Sequence, residues 1–454
     1  MRYETANPCA DCGECKGRER CDIVRRPLRR YDGIRLTADG FDCALPVSID
    51  SHNHCAYGCL YCFADNLESH RETAMNAVGQ TPLANVEALF SGGGGKRAAL
   101  LRKALKYDRR NAGGYPTAVQ LGALCEPCDN IELNQGWLLG LIDLAVKYRQ
   151  PVRMSTKGKL LQLKDYQAAL AQAPELFWVA FSLITPDDAL LEQIDVKAPN
   201  ATERLRTMAS LTKLGVKTSL RFRPMLPGVS DATPKHPKAY KELIERAAEA
   251  GAGSVSLEVA FTPGNATADT RRRWGELARL TGIDYMELYS SFGPKQACNR
   301  PSYFWTENIM HAVVEEAHKC GMVVGVSDPV WKQLGDSGCC CGILPDDPVF
   351  GNWQEESATN QLLLAKNIGK ELGPNDIVPA WANEVPLSDM VNAGVGPLIV
   401  YARRHTTWAD KLRELWNTPK LERGTLNYFQ GALVPTRRDE KGDLYYKYAG
   451  LERA

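Results

Sequence analysis

The chain has 454 residues, a formal net charge of +1, a hydrophobic fraction of 44% and 15 cysteines. This apolar content fills the core of one large domain with one or two smaller ones, which excludes a disordered protein. Because the net charge is close to zero, no overall field draws the chain onto nucleic acid, and any such binding must be local.

The N-terminus and the cysteine content predict a cytoplasmic protein. The first residues, 1–5, do not form a basic-then-apolar leader, and no run approaches the ~18 apolar residues that cross a bilayer, so we expect no membrane partner. In a large chain of this kind, we expect the cysteines to bind metal or to carry out redox chemistry rather than to form disulfides.

A Cys-rich segment, residues 1–43, begins the chain and shows little apolar periodicity. Four of its cysteines follow the spacing C-x2-C-x2-C-x5-C, namely Cys9, Cys12, Cys15 and Cys21. Four thiolates so closely spaced suit an auxiliary [4Fe–4S] cluster or a zinc ion, and the tight spacing favours the cluster.

Residues 44–262 alternate between apolar runs of strand length and helix-like stretches. The predicted strands are Leu45–Ile49, Thr117–Ala123, Val152–Thr156, Trp178–Ile184, Val216–Phe222 and Ser254–Phe261. The stretches between them include the predicted helices Trp137–Tyr148, Ala201–Leu214 and Lys238–Ala250. Six β/α units with right-handed connections predict an α/β fold, a partial (β/α)6 TIM-type barrel whose functional groups lie at the carboxyl ends of the strands.

Residues 263–454 are predicted to form a C-terminal α+β extension. Its predicted elements are a helix near Arg271–Leu280, a strand Tyr285–Leu288, a helix Glu307–Cys320 and a strand Met322–Ser327. A loop then carries three adjacent cysteines, 339–341, two of which could complete a further site with Cys298 or Cys320. The tail from Tyr401 mixes basic and aromatic residues. It either clamps a nucleic-acid backbone and stacks bases, or forms a small β-rich cap whose aromatics are core.

The most informative motif is C-x3-C-x2-C, directly after the first predicted strand, at Cys55, Cys59 and Cys62. Three thiolates can hold a [4Fe–4S] cluster while one iron stays open to a substrate or cofactor, whereas four-cysteine sites saturate a cluster. The alternative is a zinc knuckle or chance clustering, which the preceding strand-like run disfavours.

This spacing, with Phe63 after the last cysteine, resembles the radical S-adenosylmethionine superfamily. The resemblance implies that the open iron chelates the amino and carboxylate groups of S-adenosylmethionine. It also implies that one electron, supplied by an external reductant of the flavodoxin or ferredoxin type, cleaves the sulfonium to a 5′-deoxyadenosyl radical. Tyr61 and Phe63, on either side of Cys62, are assigned to the cofactor.

Polar residues at the ends of later strands provide further candidates for binding the cofactor, because such residues are costly at buried strand ends unless they serve a ligand. Lys157 or Arg221 suits the carboxylate of S-adenosylmethionine, and Ser155 and Ser182 suit its ribose or amino group. For each of these residues singly, a structural role such as helix capping is the alternative.

Several runs within residues 45–262 narrow the resemblance to the spore photoproduct lyase and DNA repair photolyase-like branch: Leu121–Asp129, Pro151–Lys157, Phe181–Thr185, Arg204–Met208 and Arg223–Asp231. In spore photoproduct lyase a cysteine after the second strand returns a hydrogen atom to the product radical, and Cys125 is at the matching place. Alternatively, Cys125 and Cys128 ligate another cluster or are ordinary buried thiols.

The leading hypothesis is a radical S-adenosylmethionine enzyme of lyase or isomerase type. We expect it to abstract hydrogen from a nucleobase, most readily a thymine-derived base in DNA or a nucleotide, and to cause fragmentation or rearrangement. A second hypothesis is a radical enzyme that modifies a peptide or small metabolite. A third is a non-catalytic iron–sulfur or zinc protein that binds nucleic acid.

Overall fold

Eight strands form one sheet, and their order across the sheet is their order in the chain. The strands are β1 (Ile34–Leu36), β2 (Val47–Ile49), β3 (Val119–Leu121), β4 (Val152–Thr156), β5 (Phe177–Ser182), β6 (Lys217–Met225), β7 (Ser254–Val259) and β8 (Val323–Val326). Neighbours are parallel except β1 and β2, which are antiparallel. Parallel strands in sequential order, joined by helices, confirm the predicted α/β fold of the partial TIM-type barrel.

The structure is a computed structural model that describes residues 29–30, 33–36, 44–53, 55–64, 79–106, 114–264, 266–290, 298–351, 357–384, 407–419, 429 and 431–450. The four cysteines of the predicted auxiliary site, Cys9, Cys12, Cys15 and Cys21, lie outside these residues. That site therefore stays a prediction.

Helices cover the sheet and connect its strands. Their bounds are Leu83–Ser91, Lys96–Ala104, Glu132–Gln135, Trp137–Tyr148, Lys164–Leu170, Asp188–Ile194, Ala201–Lys213, Ala239–Glu249, Ala268–Thr281, Tyr285–Ser290, Tyr303–Lys319, Ala358–Ile368, Pro374–Ile377 and Trp408–Trp416. Short 3-10 helices occupy Leu160–Gln162, Pro174–Leu176, Pro329–Leu334 and Ala380–Asn383. Since helices lie against the sheet, strands such as β4 and β5 are buried along their whole length.

Three short strand pairs lie outside the central sheet. Arg29–Arg30 pairs in parallel with Gly79–Gln80, and Thr262–Pro263 pairs antiparallel with Cys298–Asn299. The third pair is an antiparallel hairpin, Leu433–Arg438 with Leu444–Tyr448. Within the described ranges, every helix is too short or too polar to cross a membrane.

The predicted strand Tyr285–Leu288 is wrong, because these residues begin the helix Tyr285–Ser290. The reason is the spacing of two buried tyrosines, Tyr285 and Tyr289, which helical geometry places on one face. Their rings meet edge to face at 5.9 Å, and Tyr285 packs in the same manner against Trp274 at 5.7 Å. Tertiary packing of the aromatic face therefore decides the local structure.

The sheet does not end with the sixth predicted strand. β8, from beyond residue 262, pairs in parallel with β7 over four residues, from Val323 opposite Ser254 to Val326 opposite Leu257. The loop of residues 338–342 then returns against these two strands, and the carbonyl of Cys340 accepts a hydrogen bond from Ser256 Oγ at 2.8 Å. The C-terminal extension thus contributes an edge strand to the sheet.

The tail aromatics form a second, smaller core. Trp416, Phe429 and Tyr446 are buried together with the helix Ala358–Ile368. Trp416 meets Tyr446 edge to face at 4.6 Å, and its Nε1 donates to the carbonyl of Leu444 at 2.8 Å. For the described part of the tail, this packing favours the cap interpretation over a surface that stacks bases.

We predict that Gly325→Ala destabilises the protein, because a Cβ there would lie 2.3 Å from the backbone nitrogen of Gly342 and 2.7 Å from the carbonyl oxygen of Cys339. Overpacking against backbone should cost about 2–3 kcal/mol of the free energy of unfolding. The control is Gly275→Ala on an exposed helical surface, where a Cβ meets nothing and should stabilise by about 0.5–1 kcal/mol. Thermal and denaturant unfolding measure the stability of both variants. If Gly325→Ala were as stable as the wild type, the loop of residues 338–342 would not pack on β8.

Candidate active site

One cavity at the carboxyl ends of the strands brings together all the described site residues that the sequence predicts. The loop after β2 contributes five of them: Cys55, Cys59, Tyr61, Cys62 and Phe63. The ends of β3, β4, β5 and β6 contribute the others: Cys125, Ser155, Lys157, Ser182 and Arg221. Their convergence is what the barrel geometry requires of a ligand site, whereas the role of each residue stays a prediction.

The loop of residues 55–62, called the cysteine loop below, is hydrogen-bonded to neighbouring segments on two sides. The amide of Ala56 donates to Asp129 Oδ2 at 2.6 Å, and the Tyr57 hydroxyl donates to the carbonyl of Cys128 at 3.0 Å. On the other side, Arg273 Nη1 donates to the carbonyl of Cys59 at 3.2 Å. The loop turns at Gly58, whose φ of +60° favours glycine. These contacts fix the path of the backbone that carries the three thiols.

The three thiols, those of Cys55, Cys59 and Cys62, line the cavity. Burial, then the charges of Asp129 and of the other two cysteines, raise the pKa of Cys55, and burial likewise raises the pKa of Cys59. Their ligand role thus requires loss of thiol protons. Within the described residues, no three His, Cys, Asp or Glu side chains are placed to ligate one single metal ion together.

The donor set nevertheless fits a [4Fe–4S] cluster. A single zinc ion gathers all its thiolates at about 2.3 Å, whereas a cube binds each thiolate through a separate iron and so accepts ligands that stand farther apart. Three thiols on one anchored loop, beside an open cavity, match a cube that keeps one iron free. Cys55, Cys59 and Cys62 are the residues that would hold it.

Lys157 has its three N–H groups directed at protein acceptors. Its Nζ lies 2.9 Å from Cys59 Sγ, 2.7 Å from the Tyr61 hydroxyl and 2.8 Å from Asp195 Oδ1. Tyr61 in turn donates to Asp195 Oδ1 at 2.7 Å. Lys157 therefore supports the cysteine loop in this structure, and Arg221 is the other predicted cation for a carboxylate.

Asp195 is the buried centre of this network. Its second oxygen, Oδ2, accepts a hydrogen bond from Arg204 Nη2 at 2.8 Å, and both side chains are fully buried. Burial raises the pKa of Asp195, but the positive charges of Lys157 and Arg204 outweigh it and hold the pKa below its usual value. The carboxylate thus stays ionised and ties the cysteine loop to the end of β4 and to the helix Ala201–Lys213.

Cys125 and Cys128 differ in their surroundings. Cys125 lines the cavity, 3.5 Å from the Ser51 hydroxyl, whereas Cys128 is buried behind Gly158. Burial raises the pKa of Cys125, so its S–H is retained. Asp50 fixes the turn, because its Oδ1 accepts the amides of Leu124 at 2.8 Å and Cys125 at 3.3 Å. A protonated thiol held at the cavity wall is chemically suited to give up a hydrogen atom.

Aromatic side chains line the mouth of the same cavity. Phe63 is 42% exposed, and its ring centroid lies 6.3 Å from that of Phe261, with a tilt of 51°. Both rings border the cavity. An exposed aromatic face at a cavity mouth can stack on a planar base, which is worth about 1–3 kcal/mol per base.

Several residues of the site were not predicted from the sequence. Asp195 and Arg204 meet only through the fold, so no local pattern could have joined them to Lys157. Three others could have been predicted as site residues: Arg153, Arg223 and Glu258. They are charged residues inside apolar strands, which are costly unless they have a partner or a ligand.

Comparison with known proteins gives distant similarities. No family model matches the chain. Three uncharacterized proteins, one of Mycobacterium bovis and two from strains of Mycobacterium tuberculosis, are 24% identical over 264 residues, 54% of this chain and 72% of theirs.

Two solved structures are also similar to the chain. Spore photoproduct lyase complexed with dinucleoside spore photoproduct is 14% identical, with a TM-score of 0.47, over 66% of this chain and 80% of that chain. Streptococcus suis SuiB bound to S-adenosylmethionine is 16% identical, with a TM-score of 0.34, over 55% of this chain and 48% of that chain. These similarities do not establish a function, which rests on the side chains of the site.

We predict that Asp195→Asn lowers the free energy of unfolding by about 3–5 kcal/mol at neutral pH, because Lys157 and Arg204 would lose their buried counter-charge. A carboxylate with a lowered pKa stabilises the fold above its unfolded pKa, about 3.9, and loses that effect as the pH falls. The difference between wild type and variant should therefore shrink below about pH 3.9.

Denaturant unfolding at several pH values measures this difference. The control is Glu276→Gln, which breaks a surface pair with Arg279 and should leave the stability nearly unchanged, because water and salt screen an exposed pair. A difference that stays constant down to low pH would contradict an ionised Asp195.

Proposed function

We propose that the protein is a radical S-adenosylmethionine enzyme that acts on a nucleobase. The observation that carries the proposal is the cavity itself. The three cysteines of the C-x3-C-x2-C loop line the same space as Ser155 and Ser182. The chemistry that a [4Fe–4S] cluster supplies there when bound is the one-electron reductive cleavage of S-adenosylmethionine, which provides a hydrogen-abstracting 5′-deoxyadenosyl radical.

The chain's own residues divide the work. Cys55, Cys59 and Cys62 bind the cluster, while Lys157 and Tyr61 hold the Cys59 segment in place. Arg221 is the cation for the carboxylate of S-adenosylmethionine. Ser155 and Ser182 provide hydroxyls for its ribose or amino group.

The nucleobase assignment rests on two features of the cavity. Phe63, which the sequence assigns to the cofactor, also has an exposed face beside Phe261 that offers a platform for a planar substrate base, and Cys125 offers a hydrogen atom to a carbon radical. A thymine-derived base in DNA or a nucleotide suits both. The dinucleoside bound in the similar spore photoproduct lyase structure is a ligand of this class.

The remaining parts of the proposal concern partners outside the cavity. Cluster reduction requires an external one-electron donor of the flavodoxin or ferredoxin type. An auxiliary [4Fe–4S] cluster at the N-terminal cysteines, Cys9, Cys12, Cys15 and Cys21, is retained from the sequence prediction, as is the cytoplasmic location.

We predict that alanine at Cys55, Cys59 or Cys62 abolishes formation of 5′-deoxyadenosine, because a cube with three thiolates loses stability when one is removed. Anaerobically reconstituted protein, dithionite and S-adenosylmethionine suffice, with 5′-deoxyadenosine measured by chromatography. The matched control is Cys320→Ala, a free cysteine outside the cavity, which should keep wild-type yield. Undiminished product in any of the three loop variants would refute the cluster assignment. Enhanced release with thymine-containing DNA or nucleotide, compared with peptide, would support the nucleobase class.

We predict that Cys125→Ala retains S-adenosylmethionine cleavage but gives abortive or altered products, because the substrate radical is no longer quenched by the thiol. Product analysis is paired with an iron assay, with Cys320→Ala again as control. Lower iron in Cys125→Ala would instead identify Cys125 as a cluster ligand. Normal product at normal turnover would eliminate its role as the hydrogen donor.

A further inference from the structure

Three arginines line or back the wall of the cavity opposite the cysteine loop. Arg221 and Arg223 both come from β6 and border the cavity. Arg153, on β4, lies behind them and donates from Nη1 to the hydroxyl of Ser155, which itself lines the cavity. We call these three residues the arginine wall.

The arginine wall has fewer acceptors than it has N–H donors. Arg153 is 1% exposed, yet its Nε and Nη2 have no hydrogen-bond partner among the described residues. Arg223 is 8% exposed, and its Nε also has none in that part of the chain. Buried guanidinium N–H groups without acceptors are costly, so their retention indicates a ligand that completes them.

Negative charge at the arginine wall is also too small to balance it. Among the described residues, Glu258 is the acid that pairs with the wall, and its Oε2 lies 3.8 Å from Arg223 Nη1. Arg223 also donates to the carbonyl of Cys340, a neutral acceptor, and contacts the Cys340 thiol, whose pKa is raised by its hydrogen bond with Cys341 and by burial. Burial, then the charges of Arg223 and Arg153, lower the pKa of Arg221 to about 10, which is the expected effect of mutually repelling cations.

S-adenosylmethionine cannot supply the missing negative charge. It carries one carboxylate against an ammonium and a sulfonium cation, so its binding adds positive charge to the cavity. If its carboxylate takes Arg221, Arg223 keeps only the loosely placed carboxylate of Glu258, and no ion pair of Arg153 is formed within the described residues. The second ligand of the cavity must therefore bring an anion.

We propose that Arg223, backed by Arg153, binds an oxyanion of the substrate, a phosphate or a carboxylate. This inference rests on the proposed function and narrows its substrate class: the substrate is a nucleotide or another small anion, not a neutral base. Because Arg223 is nearly buried and borders the cavity, the anion enters with the reacting base. A phosphate on the outside of a duplex cannot reach Arg223.

The test is direct binding, without reductant, to anaerobically reconstituted full-length protein. Calorimetric titration compares thymidine, thymidine 5′-monophosphate and inorganic phosphate. We expect the monophosphate to bind about tenfold or more tightly than thymidine, with inorganic phosphate as its competitor. Arg223→Gln should remove this preference, and Arg223→Lys should restore part of it. The surface variant Arg279→Gln should keep wild-type affinities, since Arg279 is exposed, lies outside the cavity lining and pairs with Glu276.

Parallel titrations with S-adenosylmethionine show whether Arg223 binds the anion of the substrate or the carboxylate of the cofactor. We expect Arg221→Gln to weaken S-adenosylmethionine and Arg223→Gln to leave it unchanged. If Arg223→Gln weakens S-adenosylmethionine and not the monophosphate, the wall serves the cofactor and the inference is overturned. Equal binding of thymidine and its monophosphate, or binding of neither, overturns it as well.

Arg153→Gln provides a readout that a purely structural arginine would not give. Removing a buried, incompletely bonded charge should raise the melting temperature of the ligand-free protein and reduce the shift that the monophosphate produces. A lower melting temperature with an unchanged shift would contradict a ligand role. Formation of 5′-deoxyadenosine by wild type tells the two proposals apart, because it tests the radical chemistry whatever the arginines bind.

Discussion

The buried carboxylate of Asp195 is the interaction on which the site depends. It accepts hydrogen bonds from Lys157, Tyr61 and Arg204, which belong to three separate parts of the chain. Two cations and one carboxylate would each be costly alone in the interior, and together they satisfy one another. Lys157 also donates to Cys59 Sγ. A change in the position of Lys157 would therefore also displace a thiol of the cysteine loop.

The cavity has two electrostatic halves with opposite designs. Around the cysteine loop every charged group of the Asp195 network has a partner, which suits a region that must keep its geometry. At the arginine wall, by contrast, Arg153 and Arg223 keep unmatched N–H groups within the described structure. Unmatched N–H groups of this kind are found in natural proteins where a bound ligand accepts their hydrogen bonds. The arginine wall is therefore the side of the cavity to which the proposed substrate specificity is assigned.

Periodicity in the sequence predicted the barrel well where packing and local preference agree. The helix Trp137–Tyr148 and the strand Val152–Thr156 occur with the predicted bounds. Ser155, Ser182 and Cys125 were predicted because they follow or end strands of the sheet, and they line one cavity. Pattern failed at Tyr285–Leu288, where packing of the tyrosines imposes a helix, and it could not pair Asp195 with Arg204. Such pairs depend on which distant segments meet, and this information appears only with the fold.

The pairing of β8 with β7 has a consequence for how the chain can be divided. A fragment that stops near residue 262 would leave β7 as a bare edge, with open backbone groups that invite association with another chain. It would also remove the Cys340 carbonyl from Arg223 and Ser256. A shortened form of this barrel must therefore retain the strand Val323–Val326 and the loop that follows it.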